Sequence, residues 1–263
     1  GDHRDLHVRS RRQRQMCIRD RYDVVITEPD VSPIQLQGPK SKDIMVKIFG
    51  NEILELKYYW FKKFKLGNIN LLISRTGWSS EFGYEMFLLK TSDGDELYET
   101  LMQEGKDLGL HPGHTSTIRR IEGGMLSYHS DMDINTNPFE LGLDKFIDLE
   151  KSFDFVGKDA LIKIKKLGIQ RKQVGLIIEC EKLKGPNTKK WDIFKNQQYI
   201  GQVTSAVYSP RLEQNIALAI VDIKFSDINT SLKIKIDDKL VDAKITVKPF
   251  FDPNKLIAKK RSI

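Results

Sequence analysis

The sequence predicts an α+β domain followed by a small all-β domain, a barrel or a sandwich. Three observations carry that division. Up to about Lys166, apolar residues recur with both helical and strand spacing. From Arg171 onward only short β-type runs occur, with turn residues between them. The first 21 residues fit neither pattern. They hold seven of the thirteen arginines and none of the thirty lysines, and they supply more than half of the net charge of +7. Such a switch in residue usage marks residues 1–21 as a non-native leader, to be left out of fold reasoning. A basic arm for nucleic acid or a membrane surface is the functional alternative, but the segment lacks interleaved aromatics and an apolar face.

The chain proper starts at Tyr22–Thr27, a β-rich run, and breaks at Glu28–Pro33. Ile34–Leu36 is a short strand, and Gln37-Gly38-Pro39-Lys40 a turn. The spacing predicts a helix over Ser41–Phe49, with Ser41 as N-cap and Gly50 as stop. Leu56–Lys65 interleaves five aromatics with lysines, which reads as a strand that buries its rings, or as a nucleic-acid stripe. Asn68–Ser74 and Tyr84–Leu89 are strands flanking the polar loop of Arg75–Met86, RTGWSSEFGYEM. Between and beside Gly77 and Gly83 stand one indole (Trp78), two carboxylates (Glu81, Glu85) and one phenol (Tyr84). The loop suits a flat, hydrogen-bonding heterocycle, and equally a hairpin whose tryptophan is core. Glu81 is expected to be a solvated loop acid.

Helices are expected over Asp93–Leu108, Thr115–Leu126 and Phe155–Lys166, with Arg119, Arg120 and Glu122 on a polar face of the second. Ser127–Pro138 is a polar loop, and Phe139–Leu149 a strand pair or turn. The expected boundaries are 22–167 for the α+β domain and 168–252 for the β domain, with a frayed tail over 253–263. Strand candidates in the second domain are Val174–Glu179, Gln198–Val207, Ile216–Asp222, Leu232–Ile236 and Lys239–Val247.

Several chemistries lack their residues. Two cysteines give no disulfide framework, and a reducing cytoplasm is the expected location. His111, His114 and His129 lack zinc-type spacing, so no metal is expected. There is no P-loop, dinucleotide fingerprint or nucleophile elbow, and no apolar run of membrane-spanning length.

RTGWSSEFGYEM resembles the RTGYTGExGFEI signature of the folate-binding aminomethyltransferase family, that of the glycine cleavage T-protein. Further landmarks follow in family order. They are Gln37-Gly38-Pro39, Arg120-Ile121-Glu122, Asn137–Leu143 (NPFELGL), Phe155–Leu161, Ser205 with Ser209-Pro210 and Ile216-Ala217-Leu218, and Pro249-Phe250. Trp78-Ser79, Leu126-Ser127-Tyr128, Asp131-Met132-Asp133 and Asn137-Pro138-Phe139-Glu140 are most similar to the branch that demethylates dimethylsulfoniopropionate (DMSP). Departures are Phe87 in place of a tyrosine, His129 in place of a glycine, and Leu141 in place of a small residue.

The resemblance implies an aminomethyltransferase folate-binding domain, incomplete at its N-terminal side, followed by a small barrel. It implies tetrahydrofolate as cofactor, with attack by its N5 on an activated one-carbon group. Glu85 would accept from the pterin, Trp78 and Phe87 would line the pocket, and Arg120 would face a carboxylate. Tyr128 would contact a small-molecule substrate. No residue matches the family's assisting aspartate, so no catalytic residue is expected here. The chain reads as an inactive fragment with apolar surface left exposed. A lipoyl carrier protein is implied as partner only for the glycine-cleavage reaction. A non-enzymatic folate-binding role is the alternative of another class, though the KGCYxGQE-like motif of such relatives is absent. Neither nucleic acid nor membrane is expected as a partner.

Overall fold

The structure, a computed structural model, describes residues 23–25 and 27–259, and all counts refer to these. The expected leader at 1–21 lies outside them. In the N-terminal half, four antiparallel strands form one sheet: β1 (Ser32–Gln37), β2 (Phe61–Leu66), β3 (Ile69–Ser74) and β4 (Gly83–Leu88), in the order β1-β4-β3-β2. Alternation sets the two faces. Leu71, Ile73, Tyr84, Met86 and Leu88 point into a core closed by helices α1 (Ser41–Phe49) and α2 (Gly94–Gly105) through Ile44, Met45, Leu97 and Leu101. The opposite face carries Gln35, Ser74, Glu85 and Phe87, and Glu85 and Phe87 are half-buried.

The C-terminal half is a closed antiparallel barrel, which decides between barrel and sandwich. Its strands are β5 (Arg171–Glu179), β6 (Trp191–Lys195), β7 (Gln198–Ser209), β8 (Gln214–Asp222), β9 (Ser231–Ile236) and β10 (Lys239–Thr246), ordered β10-β5-β8-β7-β6-β9. Val174, Leu176, Ile193, Val203, Ala217, Ala219, Val221 and Ile234 fill its interior. Its outer face is also apolar where β7 and β8 meet helix α3 (Thr117–Glu122). Ile121 packs there on Val207, Ile216 and Leu218, with Leu126 and Phe250 at the margin. This cluster joins the two halves. Helix α4 (Lys158–Leu167) precedes the barrel, and α5 (Leu256–Lys259) returns to the N-terminal half, where Ile257 packs on its core.

Several expectations fail for physical reasons. The β-rich run at Tyr22–Thr27 is irregular over its described residues. The first strand instead starts at Ser32 and admits Pro33 because β1 is an edge. Ser41 is not a cap: its hydroxyl donates to the Phe82 carbonyl at 3.1 Å, and Lys40 is the N-cap residue. Leu56–Lys65 does not bury its rings. Tyr59, Trp60 and Phe61 are exposed, and among the ring residues only Phe64 is buried. Helix α3 is half the expected length because Gly123 and Gly124 end it.

One barrel strand was not expected: β6, which closes the barrel between β7 and β9. Its signal was the two-residue turn Asn196-Gln197, both at positive φ (49° and 66°), the form a tight hairpin needs. The tail expected to fray is docked over its described part. The Asp252 carboxylate accepts from the amides of Leu256 and Ile257 at 2.8 Å and so caps α5.

Candidate functional site

The loop between β3 and β4 is held from several sides. Gln37, at the end of β1, is its clip. The Gln37 amide donates to the carbonyls of Thr76 and Tyr84, each at 3.2 Å, and its oxygen accepts from the Ser79 hydroxyl at 2.7 Å. Both glycines of the motif exist for this clip. A Cβ on Gly77 would stand 2.1 Å from Gln37 Oε1, and one on Gly83 2.5 Å from the same amide. Neither glycine has positive φ, so space is the constraint.

Arg75 anchors the loop from below. Its guanidinium lies 3.7 Å over the Phe82 ring and donates to the carbonyls of Gly83 (2.7 Å) and Ala258 (2.8 Å). Burial lowers its pKa, the nearby phenols of Tyr84 and Tyr58 opposing that shift. Sequence reasoning missed both Gln37 and Arg75 as site-forming residues. The partners of Gln37 and the Ala258 acceptor of Arg75 are far away in the chain, and only the pairing of two glycines hinted that something occupies the space between them.

On the half-buried face, Glu85 stands in register between Gln35 and Ser74. The Thr76 hydroxyl donates to Glu85 Oε2 and bonds Ser74 Oγ on its other side. Oε1 has no hydrogen-bond partner among the described residues. Phe87 lies two residues on, on the same face. Trp78 is half-buried and belongs to none of the three core clusters, so the hairpin-core reading of it fails. Glu85, Phe87 and Trp78 therefore sit on one sheet face and the loop bound to it. A carboxylate with one oxygen unengaged among the described residues, with Phe87 two residues on along the same face, fits a planar N–H donor such as a pterin.

Arg120 is placed otherwise. It is 6% exposed, and its fork donates to Asp131 Oδ2 and Ser205 Oγ, both at 2.8 Å. Asp131 also accepts from the hydroxyls of Thr204 and Ser205 at 2.6 Å and from the Ser127 amide at 2.9 Å. Both hydroxyls reach it because a bulge between Val203 and Ser205 makes Thr204 the extra residue of β7. In this arrangement Arg120 ties α3 to the barrel, and a ligand carboxylate would have to displace Asp131. Tyr128 is 53% exposed and touches His129 edge-on, with ring centroids 4.5 Å apart. His129 has φ 71°, a left-handed conformation that suits the glycine it replaces.

Glu81 is not a solvated acid. Its side chain is held by Arg211 at 2.6 Å and Arg119 at 3.7 Å. Helix α3 reaches the loop directly as well. A Cβ on Gly123 would stand 1.9 Å from Ser80 Oγ, so the end of α3 and the loop are in contact.

Known proteins bear on this geometry. The family model described as the GCVT N-terminal domain matches residues 2–151, and that of the glycine cleavage T-protein C-terminal barrel domain matches residues 171–252. The chain belongs to the glycine cleavage T-protein family. A dimethylsulfoniopropionate demethylase from Ruegeria pomeroyi is 33% identical over 217 residues, covering 82% of this chain and 58% of that protein. An aminomethyltransferase from Caldanaerobacter subterraneus is 33% identical over 228 residues, with 85% and 59% covered. The fold is that of the aminomethyltransferase T of Bartonella henselae. The TM-score is 0.70 at 21% identity, over 85% of this chain and 60% of that one. The chain thus spans about three-fifths of the length of these T-protein relatives.

Proposed function

We propose that the protein takes part in tetrahydrofolate-dependent transfer of a methyl group, from dimethylsulfoniopropionate or a similar methylated zwitterion. Glu85 is the observation that carries this reading. Its half-buried carboxylate keeps one oxygen free of partners among the described residues, on the sheet face that also carries Phe87. A carboxylate there accepts paired bonds from a pterin amino group and its neighbouring N–H. Thr76 orients Glu85 by holding its other oxygen. Trp78 and Phe87 cover the face of the bound ring and keep water from it. Arg120 supports the site by fixing α3 against the barrel rather than by meeting a ligand, and Tyr128, exposed beside it, is the substrate contact. Bound tetrahydrofolate supplies the nitrogen that accepts the one-carbon group. A sulfonium is already a good leaving group, so the protein's task is mostly to position it.

Aminomethyl transfer from a lipoyl carrier is the second reading. It is supported by the aminomethyltransferase relatives, which match the chain at the same identity as the demethylase. Trp78-Ser79 and Asn137-Pro138-Phe139-Glu140 favour the demethylase branch.

Titration with tetrahydrofolate, followed by calorimetry, tests the site first. Glu85→Gln is expected to weaken binding by roughly 30-fold, the worth of a charge-assisted pair. An unchanged Kd would remove Glu85 from the site. Methyl-tetrahydrofolate or methylene-tetrahydrofolate formation is then followed with DMSP, dimethylglycine or an aminomethylated lipoyl carrier as donor. Product from the lipoyl carrier alone would overturn the DMSP assignment.

A further inference from the structure

We infer that Arg211, at the tip of the β7–β8 hairpin of the barrel, is a positioning residue that sets the β3–β4 loop through Glu81. The inference rests on the reading of that loop as one wall of the folate site.

Four charged side chains form a closed square. Glu81 comes from the loop, Arg119 and Glu122 from α3, and Arg211 from the barrel. Arg211 Nη2 meets Glu81 Oε1 at 2.6 Å, and its Nη1 is 3.7 Å from Glu122 Oε2. Arg119 Nη1 reaches the same two acids, at 3.7 Å for Glu81 and 3.1 Å for Glu122. The Ser209 hydroxyl donates to the other oxygen of Glu122 at 2.6 Å. Two acids and two bases balance. The square is shielded as well, with side-chain exposure of 15% at Glu81 and 2% at Glu122. Phe251 caps it: its ring lies 4.0 Å from the Arg211 guanidinium, and its amide bonds the Glu122 carbonyl at 3.0 Å.

Arg119 reaches Glu81 from within the N-terminal half, and at the longer distance. Arg211 makes the short contact, and it comes from a separately closed barrel. Glu81 is three residues from Trp78 and four from Glu85. A shift of about 1 Å at such a wall is enough to cost a ligand much of its fit. The barrel thereby sets the position of a binding loop that it does not itself contain.

The test uses the full chain with Trp60→Phe and Trp191→Phe, which leaves Trp78 as the sole indole. Arg211→Gln is expected to raise acrylamide quenching of Trp78 about twofold and to raise the tetrahydrofolate Kd about tenfold. Arg211→Lys should recover only part of both, because an ammonium neither forks nor stacks as a guanidinium does. Glu81→Gln should reproduce the effect from the loop side, and the double variant should be no worse than either single one. Unchanged quenching in Arg211→Gln, or additive losses in the double variant, would overturn the proposal. If Arg211→Gln does not fold, Glu81→Gln with the quenching readout decides. If the unaltered chain binds no folate, the folate reading fails, while quenching and coupling still decide the role of Arg211.

Discussion

Among the described residues, β1 and β2 of the N-terminal sheet each have an unpaired edge, whereas the six barrel strands pair all the way round. The two regions protect their backbones in different ways. The sheet shields its edges with Pro33 on β1 and with Lys62, Lys63 and Lys65 on β2. The barrel has no edge to shield and uses its outer face for docking α3. Three barrel hydroxyls and one carboxylate of the sheet show the same contrast. Those at the barrel surface, Ser205, Ser209 and Thr204, are consumed by Asp131 and Glu122. Glu85, on the open sheet, keeps an oxygen uncommitted. The closed region anchors α3, and the open one offers the carboxylate on which the proposed folate site rests.

If that division is right, breaking the anchor costs most. Arg120→Ala leaves the Asp131 carboxylate buried without its cation and should cost about 3–5 kcal/mol. Calorimetry is expected to show the barrel melting apart from the N-terminal half. A single unchanged transition would mean that the apolar cluster around Ile121 suffices. Next come two glycines, one in each region. A Cβ on Gly201 meets the Ile220 backbone carbonyl at 2.1 Å, so Gly201→Ala must part β7 from β8, at roughly 3 kcal/mol. A Cβ on Gly77 meets only the end of the Gln37 side chain, which can swing away. Gly77→Ala should therefore cost about 1–2 kcal/mol in urea unfolding, from lost clip bonds, and weaken folate binding more than stability. Equal stability losses at the two positions would erase the contrast.

Lys248 tests the junction by pH. Burial lowers its pKa to about 8, the Asp131 charge opposing and Lys172 adding to the shift. The folded state thus releases this proton below the unfolded value of 10.5. Between about pH 8 and 10.5 the unfolded chain binds more protons, so stability rises with pH across that window. Below it the charged amine is a standing cost. Lys248→Met should remove the slope and stabilise the protein at pH 7 by about 2 kcal/mol, read from urea melts at pH 7 and 10. The smallest effect is expected at His129. Relieving φ 71° by His129→Gly should gain at most about 1 kcal/mol, since glycine gives part of it back in the unfolded chain.

Most strands were legible because alternation and turn residues are local. Helix α1 runs over the residues its spacing predicted. Local signals also explain the errors. Arg120 and Glu122 look like a solvated helix face until Ser205 and Ser209, 85 and 87 residues away, come to meet them. Tyr59, Trp60 and Phe61 have a core composition and an edge location. At the candidate site, Glu85 and Trp78 were singled out through the motif. The Gln37 clip and the Arg211–Glu81 contact were not, because each depends on a residue brought in from a remote element.

Arg75 has a consequence in time. Its guanidinium reaches the carbonyl of Ala258, 183 residues later in the chain. Synthesis at about 5–20 residues per second puts roughly ten to forty seconds between the two. During that interval β3 and β4 can pair and the helices can cover them, but Arg75 lacks the Ala258 carbonyl. The base of the β3–β4 loop is thus finished by nearly the last described residues of the chain, and a nascent protein completes that loop only after its barrel has been made.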